Sequence, residues 1–239
     1  MKAPRIAPIL ATGFALLCGW AQLSATGSAT QAYERVVTRF NTTAPPAYRA
    51  FRRLEAGNPD KNKTGWLEAW TEFRPGQPLQ VEIVGEGGSE YVRNKILRGM
   101  LHSEQQLVAN GKPLRAAVDE NNYQLTDGGT TDDGLQRVML KAARKSEGIV
   151  NGALFLEPEA GYVTRIEGRL VKSPSFWVHD VDVTWKFARI GGHVLPVEVS
   201  SRGKVRLYGR SMFKMIYDYV SIDGRPTAAR LNAALHDGQ

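Results

Sequence analysis

The sequence predicts an α+β fold, in which one or two helices pack on the concave side of a strongly curved antiparallel sheet, an unclosed β-barrel. Between Gly148 and Val220, apolar and polar residues alternate with a period of two, which is typical of strands with one buried and one wet face. The turns between these segments are short, so neighbouring strands should pair antiparallel. A sheet of this many twisted strands cannot stay flat, and we expect it to curl.

The chain begins with the features of a secretory signal peptide. Lys2 and Arg5 precede an apolar run over residues 6–20, and small residues follow it, so cleavage is expected near Ala25. An uncleaved membrane anchor is the alternative, but the run is shorter than the ~20 residues of a spanning helix. We therefore expect a periplasmic protein. The sequence predicts a signal peptide at residues 1–25, a single domain at 26–224 and a loose C-terminal tail at 225–239.

The composition narrows the chemistry available to the mature chain. Cys18 is the only cysteine and lies in the predicted signal peptide, so we expect no disulfide, no zinc–thiolate site and no cysteine nucleophile. The formal net charge of +7 favours anionic lipid or an acidic protein as a partner. An exported chain without a lysine-rich tail is a poor fit for a nucleic-acid-binding protein. We expect a monomer without a cofactor.

The elements follow from periodicity and turn residues. Residues 29–40 have the apolar spacing of a short amphipathic helix, which two prolines end at 45–46. Residues 89–109 predict a second helix, with Ser89 as its N-cap. Strands are predicted at residues 48–56, 64–74, 79–84, 138–143, 148–157, 162–172, 177–190 and 193–220, the last broken at Gly203 or Gly209.

Motifs that suggest chemistry all have a simpler structural interpretation. Asp180 and Asp182 share one face of a predicted strand, which we interpret as solvated, while His179 falls on the apolar face as a hydrogen-bonded core residue. The glycine-rich residues 85–89 lack the third glycine of a dinucleotide-binding turn and predict a flexible turn into a helix. The sequence therefore predicts no catalytic residue and no metal site.

Large apolar residues at a period of two exceed what two helices can cover. Such residues are ordinary core where protein covers them, and a binding surface for an apolar ligand where it does not. The candidate cavity residues are Trp66, Trp70, Met100, Ile166, Trp177, Val181, Val183, Trp185, Leu195, Val197, Phe213, Met215 and Tyr217. The opposite face of the last strands carries a basic row of Arg202, Lys204, Arg206, Arg210 and Lys214. Such a row is commonly a solvated face, and the alternative is a docking face for anionic lipid or an acidic protein.

Four stretches resemble an uncharacterised family of exported bacterial proteins. They are VRNKILRGMLHSE (92–104), YVTRIEGRLVKSPSFWV (162–178), ARIGGHVLP (188–196) and VRLYGRSMFKMIYDY (205–219). That family is distantly similar to the periplasmic lipoprotein carriers LolA and LolB, whose fold is an unclosed antiparallel barrel with helices as a lid over a hydrophobic cavity. The resemblance implies a carrier of lipid or of a lipoprotein acyl chain. Those carriers have a cavity-latching arginine motif without a recognised counterpart in this sequence, so acyl-chain binding is inferred from the fold.

Three functions follow as hypotheses. The first is a non-enzymatic periplasmic carrier of a lipid, a lipoprotein acyl chain or another hydrophobic ligand. The second is a structural or partner-binding envelope protein with a solid core and a basic docking face. The third is a hydrolase using Asp180, Asp182 or His179, which requires at least one of these side chains to line a pocket. An open cavity on the concave face distinguishes the first hypothesis from the second.

Overall fold

A computed structural model describes residues 37–41, 43–111, 117–159, 161–173, 178–205 and 209–227. Helix α1 is described over residues 37–41, and a π-helical segment, Val92–Leu97, continues directly into helix α2, Arg98–Ala109. The strands are β1 (Tyr48–Asn58), β2 (Lys63–Phe73), β3 (Gln80–Gly88), β4 (Tyr123–Thr130), β5 (Gln136–Ala142), β6 (Val150–Glu157), β7 (Tyr162–Leu170), β8 (Val178–Ile190), β9 (His193–Val205), β10 (Gly209–Ile222) and β11 (Arg225–Pro226). A 3₁₀ turn, Pro59–Lys61, joins β1 to β2.

All the strands belong to one antiparallel sheet. Its order is β3-β2-β1-β10-β9-β8-β7-β6-β5-β4, with the short β11 beside β10. Two runs of sequential neighbours, β1 to β3 and β4 to β10, are joined where β1 pairs with β10, and Leu54 lies opposite Met215 there. Strands β3 and β4 lie at the two ends of this order, so the sheet is not closed. The predicted unclosed antiparallel sheet is confirmed.

Alternate side chains along β1 and β2 define the inner face of the sheet. On β1 the buried side chains are those of Ala50, Arg52, Leu54 and Ala56. Val92, Leu97 and Leu101 of the helical segment pack against Leu54 and Leu67 on this face. Burying each such side chain contributes roughly 1.5–3 kcal/mol. The helix is therefore held to the sheet by its apolar stripe.

A second core cluster lies under the other half of the sheet. It comprises Val37, Val118, Tyr123, Val138, Leu140, Ile149, Val150, Leu154, Leu156, Val163, Ile166, Val181, Val183 and Phe187. Phe40 of α1 meets Phe187 edge to face, with ring centroids 5.1 Å apart. The side-chain amide of Asn41 donates to the carbonyl of Val118 at 2.6 Å and accepts from its N–H at 2.9 Å. These contacts fix α1 over β8 and the segment before β4.

Strand β4 is absent from the sequence prediction, and β3 is longer than predicted. The pattern of β4 is weak because polar residues occupy most of its positions from Tyr123 to Thr130. Strand β3 continues to Gly88, where the sequence predicts a turn. A Cβ on Gly87 would lie 2.7 Å from the indole nitrogen of Trp66, so the glycine makes room for that ring. The predicted turn is thus a strand over which a tryptophan packs.

The backbones of β6 and β7 approach closely at a pair of opposed glycines. Gly152 lies opposite Gly168 in the ladder. A Cβ on Gly152 would lie 2.0 Å from the carbonyl oxygen of Glu167, and one on Gly168 would lie 2.4 Å from that of Asn151. Glycines inside strands often mark a sharp bend or a close backbone approach. We therefore interpret this pair as a point where the sheet bends.

The C-terminal segment joins the sheet further along the chain than predicted. Arg225 and Pro226, which the sequence assigns to the loose tail, pair as β11 with Ile222 and Ser221 of β10. The N–H of Thr227 donates to the carbonyl of Val220 at 3.1 Å.

Candidate ligand-binding cavity

A cavity of about 1060 Å³ opens on the inner face of the sheet. Its wall is formed by α1 and the residues after it, by the helical segment 95–107, and by strands β1 and β7 to β10. Its apolar lining includes Phe40, Leu54, Ile96, Met100, Leu101, Leu107, Val163, Trp185, Phe187, Val194, Leu195, Val199, Phe213 and Met215. The volume lies slightly above the ~300–1,000 Å³ of ordinary small-molecule sites.

The helix leaves part of its apolar surface uncovered where it borders the cavity. Ile96 is 37% exposed and Met100 39% exposed, although both are large apolar side chains that line the cavity. Leu97 and Leu101, on the neighbouring stripe, are buried against the sheet. The helix thus has apolar side chains toward both the sheet and the cavity. Those toward the sheet are buried by other protein atoms, and Ile96 and Met100, which line the cavity, remain exposed.

Six of the thirteen predicted cavity residues line the cavity, six others do not, and Trp177 lies outside the described residues. The six are Met100, Trp185, Leu195, Phe213, Met215 and Tyr217. Ile166, Val181 and Val183 are buried in the adjacent core cluster. Val197 lies beside a register shift between β8 and β9 and does not line the cavity. Arg206 of the basic row also lies outside the described residues.

Trp66 and Trp70 lie on the outer face of β2. The guanidinium carbon of Arg53 lies 5.0 Å from the Trp66 ring centroid, and that of Arg49 lies 4.7 Å from the Trp70 ring. The inner face of the strand belongs instead to the alternate residues, such as Leu67. The sequence contained a signal for this placement, because Glu68 shares the face of the two tryptophans and a carboxylate favours the wet side.

Arg52 is a buried cation that the sequence analysis missed. Its side chain is fully buried, and its Nη2 donates to Glu104 Oε2 at 2.7 Å and to the Tyr217 hydroxyl at 3.1 Å. The guanidinium also lies 4.5 Å from the Tyr217 ring centroid. Its Nε and Nη1 find no hydrogen-bond partner within the described part of the chain. The sequence did contain a signal for its burial, because Arg52 alternates with Ala50 and Leu54 and therefore lies on the same face of β1 as these apolar residues.

Glu104 ties this buried cation to the wall of the cavity. It lies on α2, lines the cavity and is 13% exposed. Burial acts to lower the pKa of Arg52, but Tyr217 and Glu104 together outweigh it and raise that pKa. Arg52 therefore stays charged, and the carboxylate of Glu104 compensates a charge that water does not reach.

Three tyrosines add uncharged polar groups to the same wall. The rings of Tyr217 and Tyr219 stack with centroids 5.9 Å apart, and Tyr48 meets Tyr219 nearly edge to face at 5.4 Å. The Tyr219 hydroxyl donates to the carbonyl of Pro196 at 2.9 Å. Burial raises the pKa of Tyr217 to about 12, and it raises the pKa of Tyr48 and of Tyr219 as well. All three hydroxyls stay protonated at neutral pH. The Tyr219 hydroxyl already donates to Pro196, so the hydroxyls of Tyr48 and Tyr217 are the ones that can donate to a ligand.

The carboxylates considered for catalysis lie outside this cavity, although Asp182 lines a separate, wide-open depression beside Arg169 and Glu167. Arg169 forms two hydrogen bonds to Asp182, at 2.8 and 3.1 Å, and these lower the pKa of that carboxyl. Hydrogen bonds from Lys204 and His179 lower the pKa of Asp180. A general acid needs a raised pKa. The arrangement holds both carboxylates in the ionised form on the outer surface.

His179 does not occupy the buried position that the sequence predicts. Its side chain is 40% exposed, and its Nδ1 lies 3.2 Å from Asp180 Oδ2. The ladder between β8 and β9 shifts register between His179 and Asp182, and Asp180 has a φ of 50°. A bulge of this kind changes which residues share a face. The strict period of two therefore fails at this point, and His179 lies on the same side as Lys204.

The described members of the basic row are largely neutralised by neighbouring acids. Arg210 forms an ion pair with Asp60 at 2.7 Å. Lys204 lies 3.3 Å from Asp180, and Lys214 lies 3.5 Å from Glu198. Arg202 is exposed without an ion pair to any described residue. These placements favour the interpretation of the row as a solvated face.

The fold and the cavity define an unclosed antiparallel sheet that encloses an apolar site with polar groups at one wall. Among the described residues, no three His, Cys, Asp or Glu side chains are placed to hold a metal ion. In the same part of the chain, no helix combines the length and apolar character needed to span a membrane.

No family model matches the chain, and no curated protein matches it either. Among solved structures it is similar to a LolA superfamily protein from Nitrosomonas europaea, with a TM-score of 0.40 and 11% identity, over 80% of this chain and 91% of that one. It is also similar to a DUF1329 family protein from Desulfovibrio piger, with a TM-score of 0.42 and 11% identity, over 81% of this chain and 91% of that one.

Proposed function

We propose that this chain is a non-enzymatic binding or carrier protein for a hydrophobic ligand, such as a lipid or a lipoprotein acyl chain. One observation carries the proposal: the protein has an open cavity of about 1060 Å³ with a mostly apolar lining. Transfer of apolar surface out of water is favourable by roughly 25 cal/mol per Å². Burial of the exposed Ile96 and Met100 side chains by an apolar ligand would therefore favour binding.

The arrangement of the helix supports the same proposal. Leu97 and Leu101 of the helical segment pack in one core cluster with Leu54 and Leu67 of the sheet. A helix held in this way on the concave side would act as a partial lid over the ligand. Trp185 and Phe213 contribute aromatic surface from β8 and β10. Large planar side chains give extensive contact with an acyl chain without requiring directional bonds. The site is therefore suited to holding a ligand rather than transforming it.

Export to the periplasm is part of the proposal. The apolar run after Lys2 and Arg5 supports a signal peptide over residues 1–25, and the binding domain is then 26–224. A carrier in that compartment would shield an acyl chain from water between membranes.

Quenching of Trp185 by a brominated fatty acid tests the proposal. In a background in which Trp20 and Trp177 are replaced by Phe, titration with the brominated ligand is expected to quench fluorescence, because Trp185 lines the cavity. Adding Trp185→Phe should remove most of this quenching. Bromine quenches tryptophan only at short range, so the loss identifies the cavity as the binding site.

Trp66→Phe in the same background is the matched control. Trp66 lies on the outer face against Arg53, so its removal should leave the fractional quenching unchanged or increased. Quenching that persists without Trp185 and disappears without Trp66 would place the ligand outside the cavity. A complete absence of quenching at saturating ligand would contradict the proposed function.

A further inference from the structure

The cavity carries a surplus of positive charge. Arg39 on α1, Lys95 in the π-helical segment and Arg189 near the end of β8 all line it, and all three are exposed. None of them forms an ion pair with another described residue. Elsewhere on the described surface, cations such as Arg169 and Arg210 are matched by carboxylates at 2.7–2.8 Å. The three lining cations are thus available to a ligand.

The acidic groups at the cavity do not offset these charges. Glu104 is the only carboxylate among the described lining residues, and its charge is matched by the buried Arg52. His193 also lines the cavity and pairs with Asp223 at 3.2 Å. The field inside a partly enclosed, low-dielectric cleft is set by such unmatched charges. This cavity therefore favours an anion over a cation.

On the cavity face of β8, two aromatic side chains are followed by a charged one. Trp185, Phe187 and Arg189 alternate on that strand and all line the cavity. Arg39 lies next to Phe40, whose ring packs on Phe187 at 5.1 Å. Both arginines therefore lie near Phe187, and on β8 Trp185 lies on the opposite side of Phe187 from Arg189. This order matches an amphiphile with its chain inside and its head at the arginines.

We infer that the ligand is an acyl chain with an anionic head group, a carboxylate or a phosphate, held at Arg39 and Arg189 within the field of Lys95. The inference rests on the proposed function and adds the chemistry of the head group to it. Guanidinium groups suit this role because they bind carboxylate and phosphate oxygens through paired N–H donors.

Two ligands with the same chain and different heads test the inference. We expect palmitate to bind the full chain about tenfold more tightly than cetyl alcohol at low salt, because three exposed charge contacts of ordinary strength multiply to about that factor. Rising salt should weaken the binding of palmitate and leave that of cetyl alcohol unchanged. Native mass spectrometry or displacement of a fluorescent probe measures both affinities.

A triple variant, Arg39→Gln, Lys95→Gln and Arg189→Gln, should abolish the preference for palmitate and leave the affinity for cetyl alcohol as it was. The matched control removes the same charge outside the cavity, with Arg202→Gln, Lys141→Gln and Lys145→Gln, and should keep the preference. The three control positions are all exposed and do not line the cavity. The control separates a local contact from the effect of net charge.

The outcomes separate the inference from the proposed function. Equal affinities for palmitate and cetyl alcohol overturn the inference and leave the apolar carrier in place. A preference that the control variant loses as fully as the cavity variant also overturns it. Binding of neither ligand overturns the proposed function and the inference with it. Adding lysophosphatidylglycerol distinguishes the two head groups, since tighter binding than palmitate assigns the site to a phosphate.

Discussion

Replacing Glu104 with leucine is expected to lower the free energy of unfolding by about 3 kcal/mol. The substitution leaves Arg52 charged and fully buried, with the Tyr217 hydroxyl and the Met215 sulfur as its remaining partners. An uncompensated buried charge is among the costliest defects that one substitution can create. Urea denaturation, followed by circular dichroism, measures the change. We place the expected loss at the lower end of the range for buried pairs because Glu104 is 13% exposed.

Two further variants show whether the loss comes from the buried charge. The double variant Arg52→Met, Glu104→Leu removes both charges and should regain most of the stability, as replacement of buried ion pairs by apolar residues commonly does. Glu86→Leu removes a half-exposed carboxylate paired with Arg93 and Arg98, and should cost less than about 1 kcal/mol. If the double variant is as unstable as Glu104→Leu, the loss of stability does not come from the uncompensated charge of Arg52.

Gly152→Ala is expected to lower the free energy of unfolding by about 3 kcal/mol, the upper end of the cost of overpacking. The added methyl group would lie 2.0 Å from the carbonyl oxygen of Glu167 and 2.5 Å from the Cα of Gly168. Both are backbone atoms, so the strands can make room only by moving apart and losing part of their ladder. The midpoint of urea unfolding reports the change.

Gly99→Ala provides the matched comparison, because it adds the same methyl group at an open position. Gly99 lies on α2 and lines the cavity, and an added Cβ would meet no atom within 4 Å. Alanine is the better helix former by roughly 1 kcal/mol, so this variant should be more stable than the parent chain. Equal effects of the two substitutions would mean that β6 and β7 are not held closely together at Gly152.

Much of the sheet was predictable, because a period of two identifies strands reliably where the polar residues alternate cleanly. Strands β5, β7, β9 and β10 largely satisfy that condition, whereas β6 contains a buried apolar run and β8 has a register shift at His179–Asp182. The bounds of β5 to β10 differ from the predicted ones by a few residues. Strand β4 could not be predicted, since its polar side chains give no contrast between its two faces. The pairing of β1 with β10 was also beyond the sequence, because it joins segments at opposite ends of the domain.

The cavity was only partly predictable, because periodicity does not say which of two faces is buried. On β10 the apolar residues at every second position correctly identified the cavity face, since Phe213, Met215 and Tyr217 line the cavity. On β2 the same reasoning assigned the wrong face to the cavity. It relied on the large apolar rings of Trp66 and Trp70, although Glu68 and Glu72 on that face indicate solvent. Arg52 was missed for the converse reason. A lone arginine in an apolar row suggests solvent, and only the structure brings Glu104 to it from helix α2.

The position of bromine in crystals of the protein grown with a brominated fatty acid tests the central claim most directly. The account predicts an anomalous peak inside the cavity, bounded by Trp185, Phe213 and Met100, with the carboxylate end of the ligand toward Arg39 and Arg189. A ligand found only on the outer surface, or a cavity closed by the protein's own side chains with no bromine inside it, would contradict the account.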